Sequence, residues 1–141
     1  SQLIAKTFGA KVYRGPKKEI GFYHDLKINS DSLFFSNFKN PFTVFHWHTD
    51  TFDLPEGAIR LASSEYYPNQ AFQYKSAIGL QFHLEVNEEM VNLWLDNTEE
   101  RLKKTPDIDP QKIRSEIIEN ISIVKSNMNN FYNNFKSSFN L

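Results

Sequence analysis

From Pro110 onward the chain repeats apolar residues at Ile113, Ile117, Ile121, Val124, Met128, Phe131, Phe135 and Phe139, every step a three or a four. That period lays one continuous apolar stripe along a single long helix. Asp109 is placed to cap it and Pro110 to open it. Such a stripe has to be covered. Packing on its own domain is the favoured reading, with docking to a partner as the alternative. The Asn-rich run around Met128 reads only as compositional bias.

The segments upstream must supply what the stripe packs on. A second helix is expected from Asn87, which can cap it, with Glu88 and Glu89 at the favourable end of the helix dipole. Its apolar face would hold Met90, Val91, Trp94 and Leu102, and Thr105 to Pro110 would link it to the last helix. Before Asn87 the pattern is that of strands. Lys11 to Arg14 is a short candidate, broken by Gly15-Pro16, and Ile20, Phe22, Leu26 and Ile28 alternate with polar or small residues. Asn29 to Pro41 predicts a short helix or an ordered loop. Thr43 to His48, Ile59 to Ala62 and Ala71 to Tyr74 are further strand candidates, with turn residues at Asp53 to Gly57. Ile78, Leu80, Phe82 and Leu84 alternate with Gly79, Gln81, His83 and Glu85, the clearest strand signal in the chain. Ser1 to Phe8 reads as the end of an amphipathic helix stopped by Gly9. A helix that opens without a preceding cap predicts further polypeptide upstream.

Strands followed by two helices give an α+β reading of the chain alone. If the strands belong to a larger sheet, α/β is equally allowed. The 141 residues are 40% hydrophobic and 15% aromatic, a globular composition. A formal charge of −1 with no basic segment gives no support to binding nucleic acid or an anionic membrane. No apolar run approaches the length of a membrane span, and the first residues lack the marks of a signal peptide. There is no cysteine, so a cytoplasmic location is the default expectation.

Two groups of residues can carry chemistry. His83 and Glu85 are two apart, which in an extended strand places them on one face about 7 Å apart at the backbone. A carboxylate so placed can orient an imidazole and fix its tautomer, as a general base requires. The same spacing describes a His and a Glu on a solvated face, and spacing alone does not separate the two. His46 and His48 also share a strand face, with Asp50 and Asp53 beyond them. Two imidazoles and a carboxylate suit a divalent metal, and a cupin-like metal-binding barrel is the rival reading. It lacks a second histidine motif, so no metal or other cofactor is assigned.

Taken together, several segments resemble the class I glutamine amidotransferases. Ser1-Gln2-Leu3-Ile4-Ala5-Lys6-Thr7-Phe8-Gly9 is similar to the helix after that family's nucleophile elbow. Lys11-Val12-Tyr13-Arg14-Gly15 and Glu19-Ile20-Gly21-Phe22 resemble the strands that follow. Val44-Phe45-His46-Trp47-His48-Thr49-Asp50-Thr51-Phe52 resembles the segment along the glutamine pocket. Gln81-Phe82-His83-Leu84-Glu85 resembles the Gln-Phe-His-Pro-Glu signature.

The resemblance implies an α/β fold, part of a flavodoxin-like three-layer sheet with a C-terminal pair of helices. Residues 1–104 would form the C-terminal part of the amidotransferase domain and 105–141 a helical extension. It implies hydrolysis of glutamine to glutamate and ammonia through a Cys-His-Glu triad, with His83 as general base and Glu85 as its orienting partner. Gln2, His48, Thr49 and Asp50 would bind the substrate glutamine. A synthetase accepting the ammonia would be a partner, with neither nucleic acid nor membrane involved. Three departures stand out: Leu84 replaces the usual proline, Thr49 stands where glycine is common, and the cysteine is absent. The nucleophile is therefore expected on an N-terminal half outside this chain, and the chain by itself is expected to be inactive. The alternative is a nonenzymatic remnant acting as a binding or structural module.

Overall fold

A computed structural model describes residues 1–29 and 31–140. The chain begins with a short helix, α1 (Gln2–Thr7), followed by five strands: β1 (Val12–Ile28), β2 (Phe42–Phe52), β3 (Ile59–Ser63), β4 (Ala71–Tyr74) and β5 (Ala77–Leu80). Two helices close it, α2 (Glu88–Leu102) and α3 (Pro110–Phe139). The strands form one sheet in the order β2-β1-β3-β4-β5, and every pairing is antiparallel. The mixed α/β expectation stands, and the sheet contributed by this chain is a curled antiparallel one.

Local signals account for the helix ends. Gly9, at φ +83°, stops α1, and the bonds Gly9 N–H to Lys6 and Ala10 N–H to Ala5 close a Schellman turn. The Asn87 side chain accepts from the Met90 N–H at 2.8 Å. Asp109 accepts from Gln111 and Lys112, with Pro110 in the first turn of α3.

The α3 stripe is covered by its own domain. Ile113, Ile117, Val124 and Phe131 are buried in the main core, and Ile121, Met128, Phe135 and Phe139 pack against it. A 3-10 turn at Leu33–Phe35 lies within the segment expected to be a short helix or loop, of which Ser30 is outside the described residues. Its Phe34 and Phe35 rings meet Phe131 with centroids 6.4 and 5.7 Å apart. The Asn-rich run is more than bias. Asn127 donates to the Thr43 carbonyl at 2.9 Å, and Asn134 to those of Phe34 and Ser36, so α3 is tied to β2 and to the turn. In α2 the buried residues are Val91, Leu95 and Leu102, while Met90 and Trp94 are partly buried. Leu95 thus joins the apolar face, where the sequence reading does not place it.

Two strand expectations need correction. Gly15-Pro16 does not divide β1. The strand runs on, and the break becomes a bulge: Arg14 pairs with Asp50 and Glu19 with His48, so Gly15 to Lys18 stand opposite Thr49 alone. Proline has no N–H for a ladder, and the bulge is where the ladder does not need one. The expected strand through Leu84 stops at Leu80. Beyond it the chain leaves β4 and crosses to the opposite sheet edge, where His83 and Phe45 exchange backbone hydrogen bonds of 2.8 and 3.2 Å. The curled sheet is thereby pinned at one point. Polar Gln81 and apolar Phe82 are both buried on the way, so this crossing segment is covered on its two faces.

Candidate active site

His83 stands at the pin joining the sheet's two edges, so its backbone is held from both sides. Its Nδ1 lies 2.5 Å from Glu85 Oε1. The second Glu85 oxygen accepts from the Leu84 N–H at 3.1 Å, a bond that the usual proline could not make. The pair is therefore formed without a regular strand beneath it. Partial burial acts to raise the Glu85 pKa, but the hydrogen bond from His83, the backbone donors and the imidazole charge outweigh it, and the net shift is downward. His83 Nε2 has no hydrogen-bond partner among the described residues, and the side chain is 30% exposed. A base with its far nitrogen anchored and its near nitrogen open can accept a proton from a neighbouring group.

A carboxyl whose pKa is depressed in the folded state adds stability above its ordinary value of 4.5, and loses it as pH falls through the folded value. Glu85→Gln should accordingly melt below wild type at neutral pH and converge with it on acidification below 4.5. Thermal melts across that range provide the measurement; a gap independent of pH would contradict the pairing.

An aromatic wall runs from His83 towards a cleft. The His83 ring meets Trp94 at 5.2 Å, and Trp94 meets Trp47 at 5.4 Å. Trp47 lines a polar cleft of about 470 Å³ together with Gln2, His48, Thr49 and Asp50, the four residues expected to bind substrate. Arg14, Lys18 and Arg101 complete its polar lining. The Asp50 carbonyl accepts from Gln2 Nε2 at 3.1 Å and from Gln81 Nε2 at 2.5 Å. Gln81 Oε1 in turn accepts from the Ser1 hydroxyl at 2.6 Å. The start of α1, the cleft strand β2 and the segment leading to His83 thus meet at one carbonyl.

Sequence reasoning misses Glu19. Its side chain is fully buried, and one oxygen lies 3.0 Å from His48 Nε2 and 3.5 Å from His46 Nε2. Gln70 donates to the same oxygen at 2.6 Å, and Ser64 to the other at 3.3 Å. Alternation along β1 assigns Glu19 to the face away from Ile20 and Phe22, which reads as polar. Only its register opposite His48 shows that the face is closed over.

Glu19, rather than Asp50 or Asp53, is the carboxylate facing the two histidines, with donor atoms of all three within 4.8 Å of one another. The set fits a metal poorly. Gln81 Nε2 lies 3.0 Å from His48 Nδ1, and an amide nitrogen can only donate, so Nδ1 is the acceptor and Nε2 carries the proton. The protonated nitrogen lies 3.0 Å from the carboxylate in a close polar contact without hydrogen-bond geometry, where a metal would require a bare nitrogen. His46 is completely buried, and its pKa is lowered well below 6.5 by burial first, then by His48 and His83. It is a neutral core ring packed on Tyr23 and His48.

The chain is similar to known proteins in sequence and in fold. Residues 1–93 match the family described as glutamine amidotransferase class-I. The chain is 37% identical over 106 residues to the glutamine amidotransferase-like protein YfeJ of Salmonella typhimurium, covering 72% of this chain and 44% of that one. It is 39% identical over 88 residues to a subunit of the glutamine-hydrolyzing GMP synthase of Thermococcus kodakarensis, covering 60% and 46%. A crystal structure of a glutamine amidotransferase from Thermotoga maritima superposes with a TM-score of 0.86 at 38% identity, over 95% of this chain and 58% of that one. The chain belongs to the class I glutamine amidotransferase family. It spans about half the length of the relatives it matches. Among the described residues no helix is long and apolar enough to cross a membrane.

Proposed function

We propose that this chain carries the acid–base pair and the substrate wall of an enzyme that hydrolyses the side-chain amide of glutamine. The observation that carries the proposal is the His83–Glu85 pair, anchored through Nδ1 and open at Nε2, beside a cleft lined by Gln2, His48, Thr49 and Asp50. The nucleophile is a cysteine that these residues do not include, held on polypeptide preceding Ser1. His83 Nε2 takes the thiol proton as sulfur attacks the amide carbon. It then passes that proton to the departing nitrogen, and ammonia leaves behind a thioester. Water attacks the thioester while giving its proton to His83. Sulfur leaves, recovers that proton from His83, and glutamate is released. Glu85 keeps the imidazole in the tautomer that leaves Nε2 bare and stabilises it when charged.

Relatives named as components of GMP synthases favour an ammonia-accepting synthetase as the partner. In the full-length protein, with such a partner where one is needed for activity, glutamine should yield glutamate and ammonia in equal amounts. The chain of residues 1–141 alone should yield neither. Full-length protein that binds glutamine yet leaves its amide intact would overturn the proposal.

A further inference from the structure

We infer that Glu19 is a positioning residue for the cleft: it sets the tautomer of His48, and through it the place of Gln81 and of the Asp50 carbonyl. The inference rests on the amide-hydrolase reading for its kinetic consequence, but its structural part stands on the Glu19–His48 contact and the hydrogen bonds that follow from it.

The chain of contacts begins in the core. Glu19 is completely buried at the end of the β1 bulge, opposite His48. Its carboxylate accepts from Gln70 and Ser64, and one of its oxygens lies 3.0 Å from His48 Nε2 and 3.5 Å from His46 Nε2. An anionic oxygen 3.0 Å from His48 Nε2 favours the tautomer with its proton on that nitrogen over one that sets a lone pair against the carboxylate, which leaves Nδ1 as an acceptor for the Gln81 amide at 3.0 Å. The amide so oriented aims its N–H at the Asp50 carbonyl and its oxygen at the Ser1 hydroxyl. Gln2 also donates to that carbonyl. A flipped His48 tautomer would point an N–H at the Gln81 N–H, and the amide would have to turn over. Turned over, it would present an oxygen to the Asp50 carbonyl, two acceptors face to face. One buried carboxylate therefore decides the polarity of each link as far as the cleft wall and the start of α1.

Its effect should fall on substrate binding rather than on the chemical step, because the His83–Glu85 pair shares no side-chain hydrogen bond with this chain among the described residues. Partners that orient a histidine from behind typically change affinity or activity by about 10- to 100-fold. In the full-length protein Glu19→Ala should raise KM for glutamine about 10-fold or more and leave kcat within about 3-fold, the pattern of a lost binding contribution common to ground and transition states. Glu19→Gln should restore most of that loss. Its oxygen can still accept from Gln70 and face His48 Nε2, while its NH2 faces the Ser64 hydroxyl oxygen. A requirement for bulk alone would not distinguish Glu19→Gln from Glu19→Met, and the latter should behave like alanine.

The spectroscopic test needs no turnover. Nitrogen NMR of the imidazoles in the full-length protein should show neutral His48 protonated at Nε2 in wild type and Glu19→Gln, and a mixture of tautomers in Glu19→Ala. Should Glu19→Ala not fold, wild type and Glu19→Gln still decide the matter: His48 protonated at Nδ1 in either would overturn the inference. A folded Glu19→Ala with unchanged KM would overturn its kinetic part while leaving amide hydrolysis in place. Loss of all glutamine hydrolysis in wild type, with the Nε2 tautomer present, would instead fault the proposed function and leave the hydrogen-bond chain standing.

Discussion

Replacing His83 by alanine in the full-length protein is expected to lower kcat for glutamine hydrolysis by at least about 10³-fold, near 4 kcal/mol of transition-state stabilisation. The size follows from what the ring does. In the proposed mechanism it raises the thiolate fraction of the nucleophile, delivers a proton to a poor leaving group, and removes one from the attacking water. No neighbouring group among the described residues can take over, since Glu85 is the side-chain hydrogen-bond partner of His83 and points at Nδ1. KM should move little, because His83 does not line the cleft. The fold should be retained with only the stability lost with the Glu85 pairing and the Trp94 contact, since the backbone bonds to Phe45 do not depend on the side chain. A variant that stays folded and turns over within 10-fold of wild type, roughly 1.4 kcal/mol, would remove His83 from the chemistry.

Phe45→Ala should have the largest effect on stability. The ring is completely buried, 5.0 Å from Phe22 edge to face, 5.9 Å from Trp47 and 6.2 Å from Trp94. It sits between the curled sheet and α2, at the residue whose backbone pins His83. Truncation leaves a cavity that large, mutually braced neighbours cannot fill, and losses of this kind run to about 3–5 kcal/mol. Against a total stability of about 5–15 kcal/mol this is a large fraction. The full-length protein should therefore melt roughly 10 °C lower or more. Phe45→Leu fills most of the volume and should cost less than half as much. Equal melting temperatures for wild type and Phe45→Ala would mean that packing around Phe45 does not support the pin at His83.

What can be read from the chain alone follows a physical divide. The α3 stripe, its Asp109-Pro110 start, the Asn87 cap, the Gly9 stop and the strand at Ala71–Tyr74 depend on neighbours a few residues away, and they are as expected. The features that differ depend on distant partners. Gly15-Pro16 looks like a break until β2 is placed beside it and the unpaired residues become a bulge. The segment after Leu80 alternates well enough for a strand, yet its pairing partner lies across the curled sheet at Phe45. Leu95 is the exception: it stands four residues after Val91 and seven before Leu102, so the helical period alone places it on the apolar face where it is buried. Asn127 and Asn134 show nothing in their composition of the carbonyls they reach.

The candidate site divides in the same way. His83 and Glu85 are two residues apart, so their pairing is legible as spacing, and resemblance to the amidotransferases supplies the expectation for the cleft residues. Glu19 is not legible. It is far from His48 in the chain, and burial of its carboxylate appears only once β1 and β2 are in register. Gln81 stands inside a motif without a role of its own, since an amide's value here lies in joining Ser1, His48 and Asp50 at one point.

The central claim is that His83 activates a thiol supplied by polypeptide outside residues 1–141. A glutamine analogue with a chloroketone in place of the amide should alkylate a cysteine at the cleft, and mass spectrometry of the full-length protein reads that adduct directly. One adduct is expected, on one cysteine, competed by glutamine and slowed by at least about 10²-fold in His83→Ala. Adducts scattered over several residues, or labelling of that cysteine at the same rate without His83, would contradict it.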